Sequence, residues 1–186
     1  MRSGADIRRI FLAVRAPAQT VTLVEQLRAA NAGLSIKWMR DINLHLTVYF
    51  IGNIPGTAFN GICDALNTLL TRQNAFTIRF NDIALAPEKR PRMVWGRYHR
   101  DERFAELSKA IHSALSTYLP GENPFHYEDP VPHITLGRFR GIKGHSAIRL
   151  LRATLPEIRI DSCELWETIR QNGQSNYQSI RTFRFT

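Results

Sequence analysis

Two cysteines, Cys63 and Cys163, are all that this chain of 186 residues contains, and they lie too far apart for a CxxC redox pair or a metal knuckle. So few thiols exclude a disulfide framework; both fall within apolar patterns, where packing is the expected role, and a reducing cytoplasm is the expected compartment. Long apolar runs are missing too. Nothing approaches the roughly 20 residues that cross a bilayer, and Ile10–Val14 is too short for the apolar region of a signal peptide, so no membrane partner is expected. Neither HExxH nor a comparable ligand spacing occurs, which argues against a zinc hydrolase and leaves no metal or other cofactor implied. Repeats and low-complexity linkers are absent, so residues 1–186 read as one domain.

Lysine is scarce, and that is informative. Of 25 basic residues only 4 are Lys and 21 are Arg, set against 16 acidic residues for a net charge of +9. Arginine grips phosphate oxygens through a planar fork, so the surplus agrees with a polyanion such as RNA; a GC-rich genome gives the same bias. Arg90, Arg92, Arg97, Arg100 and Arg103 cluster within fourteen residues, either as an RNA-tracking run or as a solvated face.

Strands and helices alternate irregularly along the chain. Ile7–Val14 reads as a strand, and Pro17 opens a helix to about Ala32 that Gly33 closes. A short extended piece, Ile36–Met39, precedes a strand at Asn43–Ile51 that ends at Gly52. Pro55–Arg72 reads as a helix, Phe76–Leu85 and Arg92–His99 as strands, and Asp101–Leu119 as a helix capped by Asp101. A strand at Val131–Phe139 comes next, then three short ones near 155–161, 162–169 and 176–185. Hairpins beside helices argue an α+β fold.

Two segments carry the chemistry, Asn43–Phe50 and Pro132–Arg138. Each holds His-apolar-Thr followed by an apolar residue: His45-Leu46-Thr47-Val48 and His133-Ile134-Thr135-Leu136. Random placement of 6 His and 13 Thr would give roughly 0.1 such segments, and two occur. Strand side chains alternate, so each His and Thr project together while the apolar residues anchor the strand. Two imidazoles facing one centre can take a proton on one side and give one on the other. The hydroxyls of Thr47 and Thr135 suit the non-bridging oxygens of a phosphodiester, and Arg138 suits the developing negative charge. Arg138 stands at an odd offset from His133, so it reaches the same face only if Gly137 marks a bulge or the end of the strand. Tyr49 shares the parity of His45 and Thr47, which makes it the candidate for stacking on a base; Trp38, Phe125, Tyr127 and Trp166 are the other nearby aromatics. Asp41, Glu128 and Asp129 are candidates for orienting an imidazole, and His126 for touching substrate.

The paired motifs resemble the two HxT signatures of the 2H phosphoesterase superfamily. Within it, the chain is similar to the bacterial and archaeal RNA 2′,3′-cyclic phosphodiesterases, also called 2′-5′ RNA ligases. Asn43–Gly52 resembles that family's NLHLTLxFLG strand, Pro91–Gly96 its RPRVLWLG hairpin and Pro132–Arg138 its PHVTLAR segment. Its closing hairpin often reads ESRLGPxG; here Ile169 stands where Arg is common. The resemblance implies a bilobal fold, two similar antiparallel sheets flanked by helices with a central cleft. It implies metal-independent opening of an RNA 2′,3′-cyclic phosphate end to a 2′-phosphate by a monomer, with 2′-5′ ligation as the reverse. In that scheme His45 is the proton donor to the 3′ oxygen and His133 the general base. The alternatives are the same chemistry on an ADP-ribose cyclic phosphate or a 2′-5′ oligonucleotide, or an RNA-binding module without catalysis.

Overall fold

A computed structural model describes residues 7–119, 130–141, 147–171 and 173–186. In chain order the elements are β1 (Ile7–Arg15), α1 (Gln19–Ala30), β2 (Ile36–Trp38), β3 (His45–Pro55), α2 (Phe59–Leu70), β4 (Phe76–Ile78), β5 (Phe80–Ala86), β6 (Met93–Tyr98), α3 (Glu102–Leu115), β7 (His133–Phe139), β8 (Ile158–Ile160), β9 (Ser162–Gln171) and β10 (Gln174–Arg184). The expected α+β class holds, and every strand pairing among the described residues is antiparallel.

The sheet consists of two four-stranded arrays. One runs β10-β9-β1-β3, the other β2-β7-β6-β5, and they meet where β3 pairs with β7. That junction is one residue pair, Leu46 opposite Ile134. A separate ribbon joins β4 to β8.

Apolar periodicity explains how the helices dock. Leu23, Val24 and Leu27 of α1, Ile62, Cys63, Leu66 and Leu70 of α2, and Phe104, Leu107, Ile111 and Leu115 of α3 enter one core with Ile10, Leu12, Leu46, Ile134 and Leu136 from the sheet. Cys163 joins them, so both thiols are buried and free, as their apolar surroundings predict. α3 begins where Asp101 accepts hydrogen bonds from the Arg103 and Phe104 backbone N–H groups, the expected cap. The intervening residues of β1, Phe11 and Ala13, turn to the other face and form a second cluster with Trp166.

Two expectations about boundaries fail for physical reasons. β3 does not end at Gly52 but runs to Pro55, because Gly52 takes φ 94° beside a bulge and the strand continues past it. The run Phe76–Leu85 is two strands, not one: it divides at Arg79, whose carbonyl accepts from the His99 N–H, and its halves pair with different partners.

Candidate active site

The Leu46–Ile134 pair sets the site. In an antiparallel register centred there, His45 lies across from Thr135, and Thr47 across from His133. All four side chains therefore share one face, related by a local two-fold through the central pair. That face is opposite the main core: Leu46 and Ile134 are fully buried while the four polar side chains are half-buried.

Each imidazole is oriented by the carbonyl two residues before it. His45 Nδ1 donates to the Asn43 carbonyl at 2.7 Å, and His133 Nδ1 donates to the Val131 carbonyl at 2.8 Å. A carbonyl only accepts, so Nδ1 carries the proton and Nε2 of each neutral ring is left as the working nitrogen. The Thr47 hydroxyl donates to His45 Nε2 at 3.1 Å. Asn43 is itself fixed: buried, it donates through Nδ2 to the Ser175 carbonyl and accepts from the Tyr177 N–H, each at 3.1 Å. Asp41, a candidate for orienting an imidazole, instead accepts from the Ile42 N–H at 2.7 Å.

Aromatic rings hold both histidines. Trp95 stacks on His133 with centroids 3.6 Å apart and planes 20° from parallel. His45 sits among Phe11, Trp166 and Tyr177 at 5.0, 5.1 and 5.2 Å. This enclosure excludes water, so desolvation pushes His45 down to about 4, although its bond to Asn43 favours the charged form; charge on His133 and Arg138 lowers it further. His133 is lowered as well, first by desolvation and also by Arg138, against its bond to Val131. The mutual influence of His45, His133 and Arg138 means that the three charges converge on one place.

Arg138 belongs to that place because β7 bulges. Trp95 faces Thr135, yet Val94 faces Gly137, so Leu136 is an extra residue and the alternation shifts before Arg138. The odd offset seen in the sequence is thereby corrected. The exposed guanidinium also donates from Nη1 to Met93 Sδ at 3.2 Å.

An equivalent bulge defeats the expectation for Tyr49. Ala13 faces Thr47 and Leu12 faces Tyr49, so Val48 is the extra residue and Tyr49 turns to the helix side. There it is 2% exposed, its hydroxyl bonded to His112 Nδ1 of α3 at 2.7 Å. It offers no surface to a base. Phe125, His126, Tyr127, Glu128 and Asp129 lie outside the described residues. Of the arginine cluster, Arg97 is paired with Asp82 at 2.5 Å and Arg103 with Asp101 at 2.8 Å. Sequence reasoning missed Asn43 and Trp95. Their signal was parity: Asn43 is two residues before His45, and Trp95 alternates with Arg97 on a strand that faces the second motif. Among the described residues, no group of three or more His, Cys, Asp or Glu gathers as a metal site would require.

The chain matches the family model for LigT-like phosphoesterases over residues 10–95. It is 26% identical to the RNA 2′,3′-cyclic phosphodiesterase of Aeropyrum pernix over 73% of this chain and 76% of that one. The enzyme of the same name from Methanothermobacter thermautotrophicus is 25% identical over 86% of this chain and 87% of its own. Among solved structures, TT0787 of Thermus thermophilus superposes with a TM-score of 0.80 at 22% identity, covering 95% of this chain and 97% of that one. LigT of E. coli, solved with 3′-AMP, superposes with a TM-score of 0.70 at 22% identity, covering 97% and 99%.

Proposed function

The chain belongs to the LigT-like phosphoesterases of the 2H superfamily, and on that premise we propose that it hydrolyses RNA 2′,3′-cyclic phosphate ends to 2′-phosphates. The observation that carries this reading is the Leu46–Ile134 pair, which gives His45, Thr47, His133 and Thr135 one face, with Arg138 turned towards the imidazoles by the Leu136 bulge.

A cyclic phosphate on that face lies between two Nε2 atoms. His133 takes a proton from water as the water oxygen attacks phosphorus; the P–O3′ bond breaks, and His45 protonates the departing 3′ oxygen. Thr47, Thr135 and Arg138 hold the non-bridging oxygens, where negative charge grows. These proton transfers need no metal. Before substrate binds, the site disfavours imidazolium because it is dry and already positive. The phosphate anion reverses that sign, so substrate binding brings the acid's proton with it. Reverse 2′-5′ ligation results if a 5′-hydroxyl held in place replaces water.

The test is hydrolysis of a 2′,3′-cyclic nucleotide with EDTA present. Wild type is expected to turn over, and His45→Ala and His133→Ala each to lose about 10² to 10⁴ in kcat. Full activity in either variant would overturn the proposal. A substrate with sulfur at the 3′ leaving position needs no acid, so it restores whichever variant has lost the acid and thereby assigns the roles.

A further inference from the structure

The two-fold that relates the motifs does not extend to the rings around them. His45 meets Phe11, Trp166 and Tyr177 at centroid distances of 5.0, 5.1 and 5.2 Å, with planes 39°, 46° and 89° apart. Those are the tilted and edge-on contacts that neutral aromatic rings prefer. Trp95 instead reaches diagonally from its place opposite Thr135 and lies flat on His133, with centroids 3.6 Å apart and planes 20° from parallel. An overlap so close and so nearly parallel is poor for two neutral rings, whose like-signed faces repel, and good for a cation over a ring face.

The two indoles are also held differently. Trp166 Nε1 donates to Glu164 at 2.9 Å. Trp95 Nε1 is buried and has no hydrogen-bond partner among the described residues, so burial of that N–H is uncompensated. The ring is placed by its face, and the face lies on His133.

The charges around His133 define what that contact must overcome. Burial and Arg138 of β7 oppose an imidazolium, and His45 of β3 repels it when both rings are charged. Arg97 of β6 stands directly opposite His133, but its guanidinium is bound to Asp82 of β5 at 2.5 and 2.7 Å. Among the described residues, the groups in contact with His133 that favour a proton are the Val131 carbonyl and the face of Trp95.

Resting on the hydrolysis reading above, we propose that Trp95 is a positioning residue that raises the proton affinity of His133 through its π face. In the reaction the proton of the attacking water passes to His133 Nε2 as the new O–P bond forms, while P–O3′ breaks and His45 gives its proton to O3′. Positive charge grows against the indole in the transition state, so Trp95 acts on kcat and leaves KM unchanged.

The experiment follows the His133 ring by NMR titration of the free protein, and hydrolysis of a 2′,3′-cyclic mononucleotide, for wild type, Trp95→Leu and Trp95→Phe. Two roles for the indole give opposite signs. An indole that only excludes water lowers the proton affinity of His133, and Trp95→Leu then raises it. An indole that attracts the imidazolium does the reverse, and Trp95→Leu is expected to lower the affinity about three- to thirtyfold. Trp95→Phe keeps a ring face and is expected to restore most of it. On the nucleotide, Trp95→Leu is expected to lose about tenfold in kcat with KM within about twofold, and Trp95→Phe less than about threefold. Biosynthetic fluorotryptophan drains the π face at nearly constant volume, so it tests the contact without truncating the side chain: the proton affinity of His133 should fall with each added fluorine. A raised or unchanged His133 affinity in Trp95→Leu, equal effects of Leu and Phe, or indifference to fluorine would overturn the proposal. If wild type fails to hydrolyse the nucleotide, the proposed function fails, and the His133 titration still decides what the stack does.

Discussion

Val48 and Leu136 are equivalent residues: each is the extra member of a bulge, three positions past the histidine of its own motif. The two bulges have opposite effects on the next polar side chain. After Leu136 the chain aims Arg138 at the imidazoles; after Val48 it sends Tyr49 into the core against His112.

Tyr49→Phe therefore tests geometry against parity. Losing the hydroxyl bond to His112 is expected to cost about 0.5–1.5 kcal/mol in urea unfolding. Activity on a cyclic nucleotide should stay within twofold of wild type, and a tenfold fall in kcat/KM would return Tyr49 to the site.

Gly137 is small because Trp38 lies on it. A Cβ there would stand 2.8 Å from Trp38 Cε3 and 3.0 Å from Ile36 Cγ2. Gly137→Ala is expected to destabilise by about 1–3 kcal/mol, since β2 must shift to admit the methyl group. Combining it with Trp38→Leu should recover part of that loss in the same denaturation assay; unchanged stability of the single variant would contradict this packing.

Asn43 acts through His45. Removing its side chain frees the backbone that receives the imidazole from its two bonds to β10. Asn43→Ala is expected to lower kcat about tenfold with little change in KM, as for a positioning residue. A rise in KM at constant kcat would show that Asn43 touches substrate instead.

Without substrate both imidazoles titrate below their ordinary value of 6.5, which fixes the sign of the pH dependence. A pair that needs one proton should give kcat/KM highest on the acidic side of 6.5, with the acid limb at about 4, and falling at higher pH. The kcat profile should lie higher, because bound phosphate favours the imidazolium. Stability obeys the same group: His45 contributes fully above 6.5, and this is lost as pH falls towards 4, a change of roughly 3 kcal/mol at most. His45→Asn should flatten that part of the stability curve. A kcat/KM that rises between pH 6 and 8 would contradict the pair's electrostatics.

From the residues alone came the α+β class, the inward faces of α2 and α3, the Asp101 cap, the burial of both thiols and the two HxT segments. These come from local rules, since a 3.6- or 2-residue period is written into neighbouring positions. The meeting of His45 with His133 could be inferred only from the likeness of their two motifs, because a register between strands 88 residues apart leaves no mark on either. The bulges at Val48 and Leu136 were beyond reach for the same reason: a bulge is a mismatch between two strands, and each is invisible until its partner is known. Strand period therefore placed Tyr49 on the wrong face, and only the tertiary pairing decided which side chains accompany each motif into the site.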